Sequence, residues 1–127
     1  HRLVRDVTKP IGKITVQPVE FMGEQEELWG TAIGKIAKEM NAYLGQRHAE
    51  GILVIKDRIP VEWRKYTLLL PGTIWCYVGN PARRYDDQMD LMPTLEYYDH
   101  LGWIIAVRPA YKDFYKGTNY RLLQIVP

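Results

Sequence analysis

The sequence predicts a single α+β domain. We expect a strongly bent, mostly antiparallel sheet or small β-barrel of six or seven strands, with one amphipathic helix at about residues 24–44. Three observations predict this class. One segment has helical hydrophobic spacing, and several short apolar segments separated by turn residues have strand character. The length of 127 residues, with 46% hydrophobic and 25% charged content, suits one compact domain.

The helix is predicted from residues 24–44, where apolar side chains recur three and four positions apart. Glu24, Glu26 and Glu27 fall in its first turn, where the helix dipole favours negative charge. Gly45 follows the last apolar position and is a typical helix stop.

The strands are predicted from short segments rich in β-branched and aromatic residues. Pro18 lacks an N–H group, so its strand is placed at a sheet edge or beside a bulge. The segments 94–98 and 103–107 flank a turn at Asp99–Gly102 and are predicted to form a hairpin. The predicted strands are 11–21, 51–57 (covered on both faces), 64–70, 73–79, 94–98, 103–107 and 120–126. The segment 80–93 is predicted to be a loop, and 1–10 an N-terminal arm.

Composition and charge give little support to several functional classes. A net charge of +2 is too small to indicate a nucleic-acid or membrane partner by itself. No apolar run approaches the roughly 20 residues of a membrane helix, and the N-terminus lacks the apolar core of a signal peptide. Cys76 is the single cysteine, sits in a strand pattern and is interpreted as an inert core thiol. We therefore expect a soluble, intracellular protein without disulfides or cofactors.

Motifs for catalysis are weak. The chain has no serine and no Gly-rich phosphate loop. His48 and Glu50 are interpreted as parts of a solvated turn. A set of acids with one histidine could hold a divalent cation for phosphodiester hydrolysis if its members met in space, although their spacing does not require it. This set, kept only as a second alternative, is Asp86, Asp87, Asp90, Asp99 and His100. No catalytic or metal-binding residue is assigned beyond it.

Charge is distributed unevenly along the chain. Residues 86–99 contain five acids and no lysine or arginine, whereas 108–121 contain four cations and one acid. Twelve of the fifteen aromatic residues lie after residue 60. Three hypotheses remain open. The two segments neutralise each other within the chain, they pair between subunits as a head-to-tail contact, or the basic and aromatic strip binds a single nucleic-acid strand.

The prediction that follows is a non-catalytic binding or assembly domain. It makes protein–protein contacts, self-association included, through the 80–93 and 108–121 loops, with complementary charge and aromatic anchors. The candidate partner-binding residues are Arg83, Arg84, Tyr85, Arg108, Tyr111, Lys112, Phe114, Tyr115, Lys116, Tyr120 and Arg121. The first alternative is a nucleic-acid-binding module, for single strands or RNA, that uses Arg83, Arg84, Lys112, Lys116 and Arg121. No membrane partner is expected.

Overall fold

A computed structural model describes residues 2–6, 15–23, 26–28, 32–77, 89–110, 114–115 and 117–126. The helices in this part are Ile33–Glu39 (α1) and Gln46–Val54 (α2), with two short 3₁₀ helices at Lys56–Arg58 and Val61–Lys65. The strands are Arg2–Asp6 (β1), Thr15–Val19 (β2), Glu27–Leu28 (β3), Thr67–Leu69 (β4), Thr73–Tyr77 (β5), Met89–Tyr98 (β6), Gly102–Pro109 (β7), Phe114–Tyr115 (β8) and Tyr120–Val126 (β9). The chain is therefore α+β, as predicted.

The β6–β7 hairpin is the longest pairing in the main sheet. Its register runs from Leu91 opposite Pro109 to Tyr98 opposite Gly102. The other edge of β6 pairs antiparallel with β5 near its start and with β4 further along. Next, β1 pairs with β5, β9 runs parallel to β4, and β2 pairs antiparallel with β9. The sheet is thus mixed but mostly antiparallel, and β3 and β8 form a separate small sheet.

The strands β4 and β5 lie along the same edge of β6 and are separated only by residues 70–72. At this interruption the Gly72 N–H donates to the Leu44 carbonyl at 2.6 Å. A Cβ at position 72 would lie 2.7 Å from the same oxygen, so this close approach requires glycine. The sheet divides here, since β1 extends it beside β5 and β9 extends it beside β4.

The described strands do not close into a barrel. Within the described ranges β1, β2 and β7 each pair on one side only, and the pairing order has open ends. Pro18 lies in β2 at one of these ends. Its strand is therefore an edge strand, as the missing N–H group predicts.

Each face of the sheet carries a hydrophobic cluster, because successive side chains of a strand point to opposite faces. On one face Met92, Leu69 and Leu122 pack with α1, through Ile33 and Ala37. The other face packs with α2. Its cluster consists of Leu44, Ala49, Ile59, Leu68, Leu70, Leu95, Trp103 and Leu123. The sheet is covered from both sides, which places the core in two layers.

The predicted single helix at 24–44 is wrong in its extent. Leu28 lies in β3, and α1 covers only Ile33–Glu39. Just after the helix, Asn41 has φ 56°, and the Ala42 N–H donates to the Ala37 carbonyl at 2.8 Å. A left-handed residue with this bond is a standard helix C-terminus, and asparagine tolerates it better than most residues. Asn41 therefore stops the helix before Gly45.

The predicted strand at 51–57 is also wrong. Its first residues belong to α2, and a 3₁₀ helix follows at Lys56–Arg58. A short apolar run does not distinguish a buried strand from a helix segment. His48 and Glu50 lie in α2 instead of a turn, and the Gly45 N–H donates to His48 Nδ1 at 3.0 Å.

Two further boundaries differ from the predictions. Residues 2–6 of the predicted N-terminal arm form β1 and belong to the sheet. Met89–Pro93, expected at the end of a loop, lie in β6, while residues 80–88 are outside the described part. The strands predicted within 11–21, 64–70, 73–79 and 120–126, and the hairpin, are confirmed in position. None of the described helices has the length and apolarity to cross a membrane.

Candidate functional site

The buried carboxylate of Glu96 is the centre of a polar network on the hairpin. Arg108 donates to it from Nε at 3.0 Å to Oε2 and from Nη2 at 2.6 Å to Oε1. Thr94 Oγ1 donates to Oε2 at 2.6 Å, and the Tyr98 hydroxyl donates to Oε1 at 2.7 Å. Four donors thus satisfy a carboxylate that has little contact with water, and the arginine binds it in a bidentate manner.

Strand alternation brings these side chains together. Thr94, Glu96 and Tyr98 are two residues apart on β6, so they share one face. Arg108 stands opposite Met92 on the same face, and its long side chain extends past the Thr94–Ala106 pair to reach Glu96. The network therefore depends on the hairpin register, since a one-residue slip would move Arg108 to the other face.

The network fixes three protonation states. Burial raises the pKa of Glu96, but hydrogen bonds from Arg108, Thr94 and Tyr98 and the charge of Arg108 together lower it to about 2. The bond to Glu96 raises the pKa of the Tyr98 hydroxyl and of the Arg108 guanidinium. All three pKa values are thus moved further from pH 7. The network therefore contains a fixed charge pair, and its members keep their protonation states near neutral pH.

The pair joins the two segments of opposite charge. Glu96 belongs to the acidic segment 86–99, and Arg108 is the first cation of the basic segment 108–121. For these two residues the structure supports the hypothesis of neutralisation within the chain.

The aromatic residues of the basic segment have different environments. Phe114 is buried, and its ring meets Phe21 and Tyr120 edge to face at 5.4 and 5.3 Å. Tyr115 is exposed beside it. Arg121 lies with its guanidinium carbon 4.7 Å from the centre of the Tyr66 ring. The predicted site residues outside the described part of the chain are Arg83, Arg84, Tyr85, Tyr111, Lys112 and Lys116.

A second group of cations and aromatic rings was not predicted from the sequence. Arg64 lies 4.3 Å above the Tyr97 ring, and Tyr97 meets Trp103 at 5.7 Å. Tyr66 is contacted by Lys65 at 5.1 Å as well as by Arg121. We call Arg64, Lys65, Tyr66, Tyr97, Trp103 and Arg121 the ring–cation cluster. The run Trp63-Arg64-Lys65-Tyr66 is a sequence signal for it, but the contacts depend on the strand pairing.

The acidic residues do not converge where the structure describes them. Asp90 lies near the start of β6 and Asp99 directly after its end, nine residues apart, which is roughly 30 Å in a strand. Asp99 and His100 are exposed in the hairpin turn, while Asp86 and Asp87 lie outside the described part. No group of three or more His, Cys, Asp or Glu side chains in the described ranges could hold a metal ion. Among the described acids and His100, the hydrolase hypothesis therefore finds no geometric support.

The hairpin also exposes apolar side chains. Leu101 in the turn is 59% exposed, and Val107 on β7 is 43% exposed. Within the described residues β7 pairs only with β6, so its other edge has no strand beside it. Exposed apolar side chains, a fixed ion pair and a strand edge that no described strand covers thus occur together on one hairpin.

Comparison with known proteins finds no matching family, no matching curated protein and no matching solved structure. The function is therefore inferred from the geometry of the described residues. They offer fixed charges, aromatic faces and exposed apolar groups, which are features found at binding surfaces.

Proposed function

We propose that this chain is a non-catalytic binding or assembly domain that makes protein–protein contacts. Its contact surface is the β6–β7 hairpin with the adjoining 80–93 and 108–121 segments. The observation that supports the proposal most strongly is the exposure of Leu101 and Val107 on an element whose buried charge is fully satisfied. Exposed apolar side chains beside fixed polar groups occur at protein interfaces.

The Glu96–Arg108 pair suits such a surface. The Arg108 side chain is 43% exposed although two of its nitrogens are bound to Glu96. A guanidinium has five N–H donors, so further donors remain for a partner. Because Glu96 already holds the side chain in one orientation, less conformational entropy is lost when a partner binds. Arginine and tyrosine are also enriched at the energetic centres of interfaces.

The test uses the full chain as bait in an extract of the cells that produce it, with an untagged copy of the chain present. One bait carries Leu101→Asp and Val107→Lys on the hairpin. The matched control carries Val54→Asp and Val61→Lys, because these two residues are exposed apolar residues outside the hairpin. We expect the wild type and the control to retain a protein that the hairpin variant loses. Equal retention by both variants, or no retained protein with any bait, would contradict the proposal.

A second candidate is a nucleic-acid-binding module. The observation that favours it is the gathering of Arg64, Lys65 and Arg121 around two tyrosine rings. Cations next to aromatic faces are the means by which single strands are held. It ranks second because Lys65 and Arg121 already lie against the Tyr66 ring and would compete with a stacking base for it.

Tryptophan fluorescence tests this candidate, because Trp103 belongs to the ring–cation cluster and Trp63 precedes Arg64. Single-stranded DNA and RNA are titrated at low salt. Binding should weaken by about 0.7 log unit per log unit of salt for each phosphate neutralised. Unchanged fluorescence in an excess of both polymers would exclude this function.

A further inference from the structure

The hydrogen-bond pattern identifies which backbone groups of β7 lie at the edge away from β6, where no described strand pairs. The Ala110 N–H donates to the Asp90 carbonyl at 2.8 Å, so these residues form a hydrogen-bonded pair. In an antiparallel ladder such pairs recur at every second residue. Even-numbered residues of β7 therefore bond to β6. The N–H and C=O groups of Trp103, Ile105 and Val107 point to the opposite edge.

Two prolines agree with this assignment. Pro109 is an odd-numbered residue of β7, and at the edge away from β6 its missing N–H leaves no ladder bond unmade. On β6, the Pro93 carbonyl accepts from the Leu70 N–H at 3.1 Å. That bond lies on the edge of β6 away from β7, as expected for an odd-numbered residue of this strand.

We propose that β7 of one copy of this chain pairs antiparallel with β7 of a second copy, around a twofold axis at Ile105. This inference rests on the proposed function and names the partner. Centring on Ile105 sets Trp103 opposite Val107 of the second copy. In this register the outward groups of all three residues find partners. The contact is isologous, so it closes as a dimer and leaves no second β7 edge to extend.

The side chains also fit a second copy. Trp103, Ile105 and Val107 share one face of β7, so the exposed Val107 comes to lie beside Trp103 of the other chain. On the opposite face Arg108 stands opposite Gly102 of the second copy. The turn that carries the exposed Asp99 comes directly before that glycine. The partly exposed guanidinium and an exposed carboxylate are thereby brought to the same end of the interface, where opposite charges attract.

The composition of β7 indicates that its edge is used. Edge strands that stay unpaired are usually short or carry charges, prolines or bulges. The strand β7 has eight residues, apolar from Trp103 to Val107, and its proline is at the last position. The edge strand β2, by contrast, has Pro18 inside it.

The test measures the dimer dissociation constant by sedimentation equilibrium for the wild type, Val107→Pro and Val107→Thr. Proline removes an outward N–H but leaves the groups that bond to β6, whereas threonine keeps both the N–H and the branched shape. We expect a dimer for the wild type and for Val107→Thr. Val107→Pro should raise the dissociation constant about tenfold or more, because each dimer loses two donors. Equal constants for the proline and threonine variants would overturn the inference.

Amide hydrogen exchange of the wild type gives a second test that does not depend on the folding of a variant. The amides of residues 103, 105 and 107 should be protected more strongly as protein concentration rises. The amides of 104 and 106 should be protected at every concentration, because they bond to β6. Exchange at 103, 105 and 107 that is independent of concentration would overturn the inference.

The failure of this inference can be told from the failure of the proposed function. A monomeric wild type that still retains another protein through the hairpin contradicts β7 self-pairing and leaves the proposed function in place. A monomer that retains nothing contradicts both.

Discussion

Arg108 and Glu96 form a two-point ion pair across the β6–β7 hairpin, with Nη2 2.6 Å from Oε1 and Nε 3.0 Å from Oε2. The glutamate side chain is 5% exposed and the arginine side chain 43%. The carboxylate is therefore the buried member, and the guanidinium covers it from the solvent side. This asymmetry decides which substitutions destabilise the hairpin.

Replacing Arg108 with leucine should destabilise the fold by about 2–4 kcal/mol. Glu96 would keep the donors of Thr94 and Tyr98 but lose its counter-charge, and a buried unpaired charge is costly. The loss of stability should lie towards the lower end of this range, because water reaches Arg108 and screens part of the interaction. Urea unfolding measures it. The double variant Glu96→Leu with Arg108→Leu should recover part of the loss, and no recovery would mean that the pair is not the cause.

Stability should fall between pH 4.5 and about pH 2. The pKa of Glu96 drops from 4.5 in the unfolded chain to about 2 in the fold. A lowered pKa contributes stability that is complete above the unfolded value and is lost as pH falls through the folded value. The contribution is on the order of 3 kcal/mol. Unfolding at several pH values, for the wild type and Glu96→Gln, checks it. Identical pH dependence of the two proteins would contradict the assignment.

Gly72→Ala should destabilise the fold by about 1–3 kcal/mol, because overpacked sites force the backbone to move. The new Cβ would lie 2.7 Å from the Leu44 carbonyl oxygen, and that oxygen also accepts the Gly72 N–H. Gly51→Ala is the matched control. It sits in α2 with no atom within 4 Å of an added Cβ, so it should stabilise by up to about 1 kcal/mol. Thermal unfolding compares the two, and equal effects would count against the close approach at Gly72.

Asn41→Ala should lower the free energy of unfolding by about 1–2 kcal/mol, whereas Asn41→Gly should lower it by less. Asn41 has φ 56°, a conformation that penalises a Cβ with no polar side chain to compensate. The asparagine side chain also donates to the Ile125 carbonyl at 3.4 Å, which ties the end of α1 to β9. Chemical denaturation of both variants measures the difference. A glycine variant less stable than the alanine variant would contradict the role assigned to the backbone.

Asp99→Lys should weaken the dimer about fivefold at low salt, since two weak pairs per dimer become repulsive. Asp57→Lys makes the same charge change in the 3₁₀ helix Lys56–Arg58, outside the hairpin. The Asp57 variant should dimerise as the wild type does. Sedimentation of the two variants side by side measures the dissociation constants. An equal effect of both substitutions would mean that the dimer responds to net charge and not to Asp99 in particular.

Some of this structure could be predicted from the sequence, and the reasons for the misses are physical. The β6–β7 hairpin and the last strand, β9, were predictable, because apolar runs and turn residues are local signals in the sequence. The end of α1 was not, because Asn41 adopts a conformation for which Gly45 looked the better candidate. Residues 52–55 form a run that a strand and a helix can both use. Hydrophobicity does not separate a helix from a strand here, because the burial does not follow it. In α2 the small Ala49 is buried, whereas the larger Val54 is 84% exposed.

The sequence showed the acidic and basic segments that Glu96 and Arg108 belong to, but not that these two residues pair. The acidic segment 86–99 includes β6, and the basic segment 108–121 begins at the end of β7. The Glu96–Arg108 pair also depends on which face each residue occupies, and that is set by a register the sequence does not display. The contact of Arg121 with Tyr66 depends on the parallel pairing of β4 and β9, whose residues are more than fifty positions apart.

The most direct test of the central claim is the mass of the wild-type chain in solution, measured by light scattering at low and high salt. If β7 pairs with a second copy, the mass at low salt is twice the 14.9 kDa of one chain, and high salt shifts it towards the monomer because the Arg108 and Asp99 contacts are screened. A mass of one chain at both salt concentrations, up to the highest concentration that stays in solution, would contradict the claim.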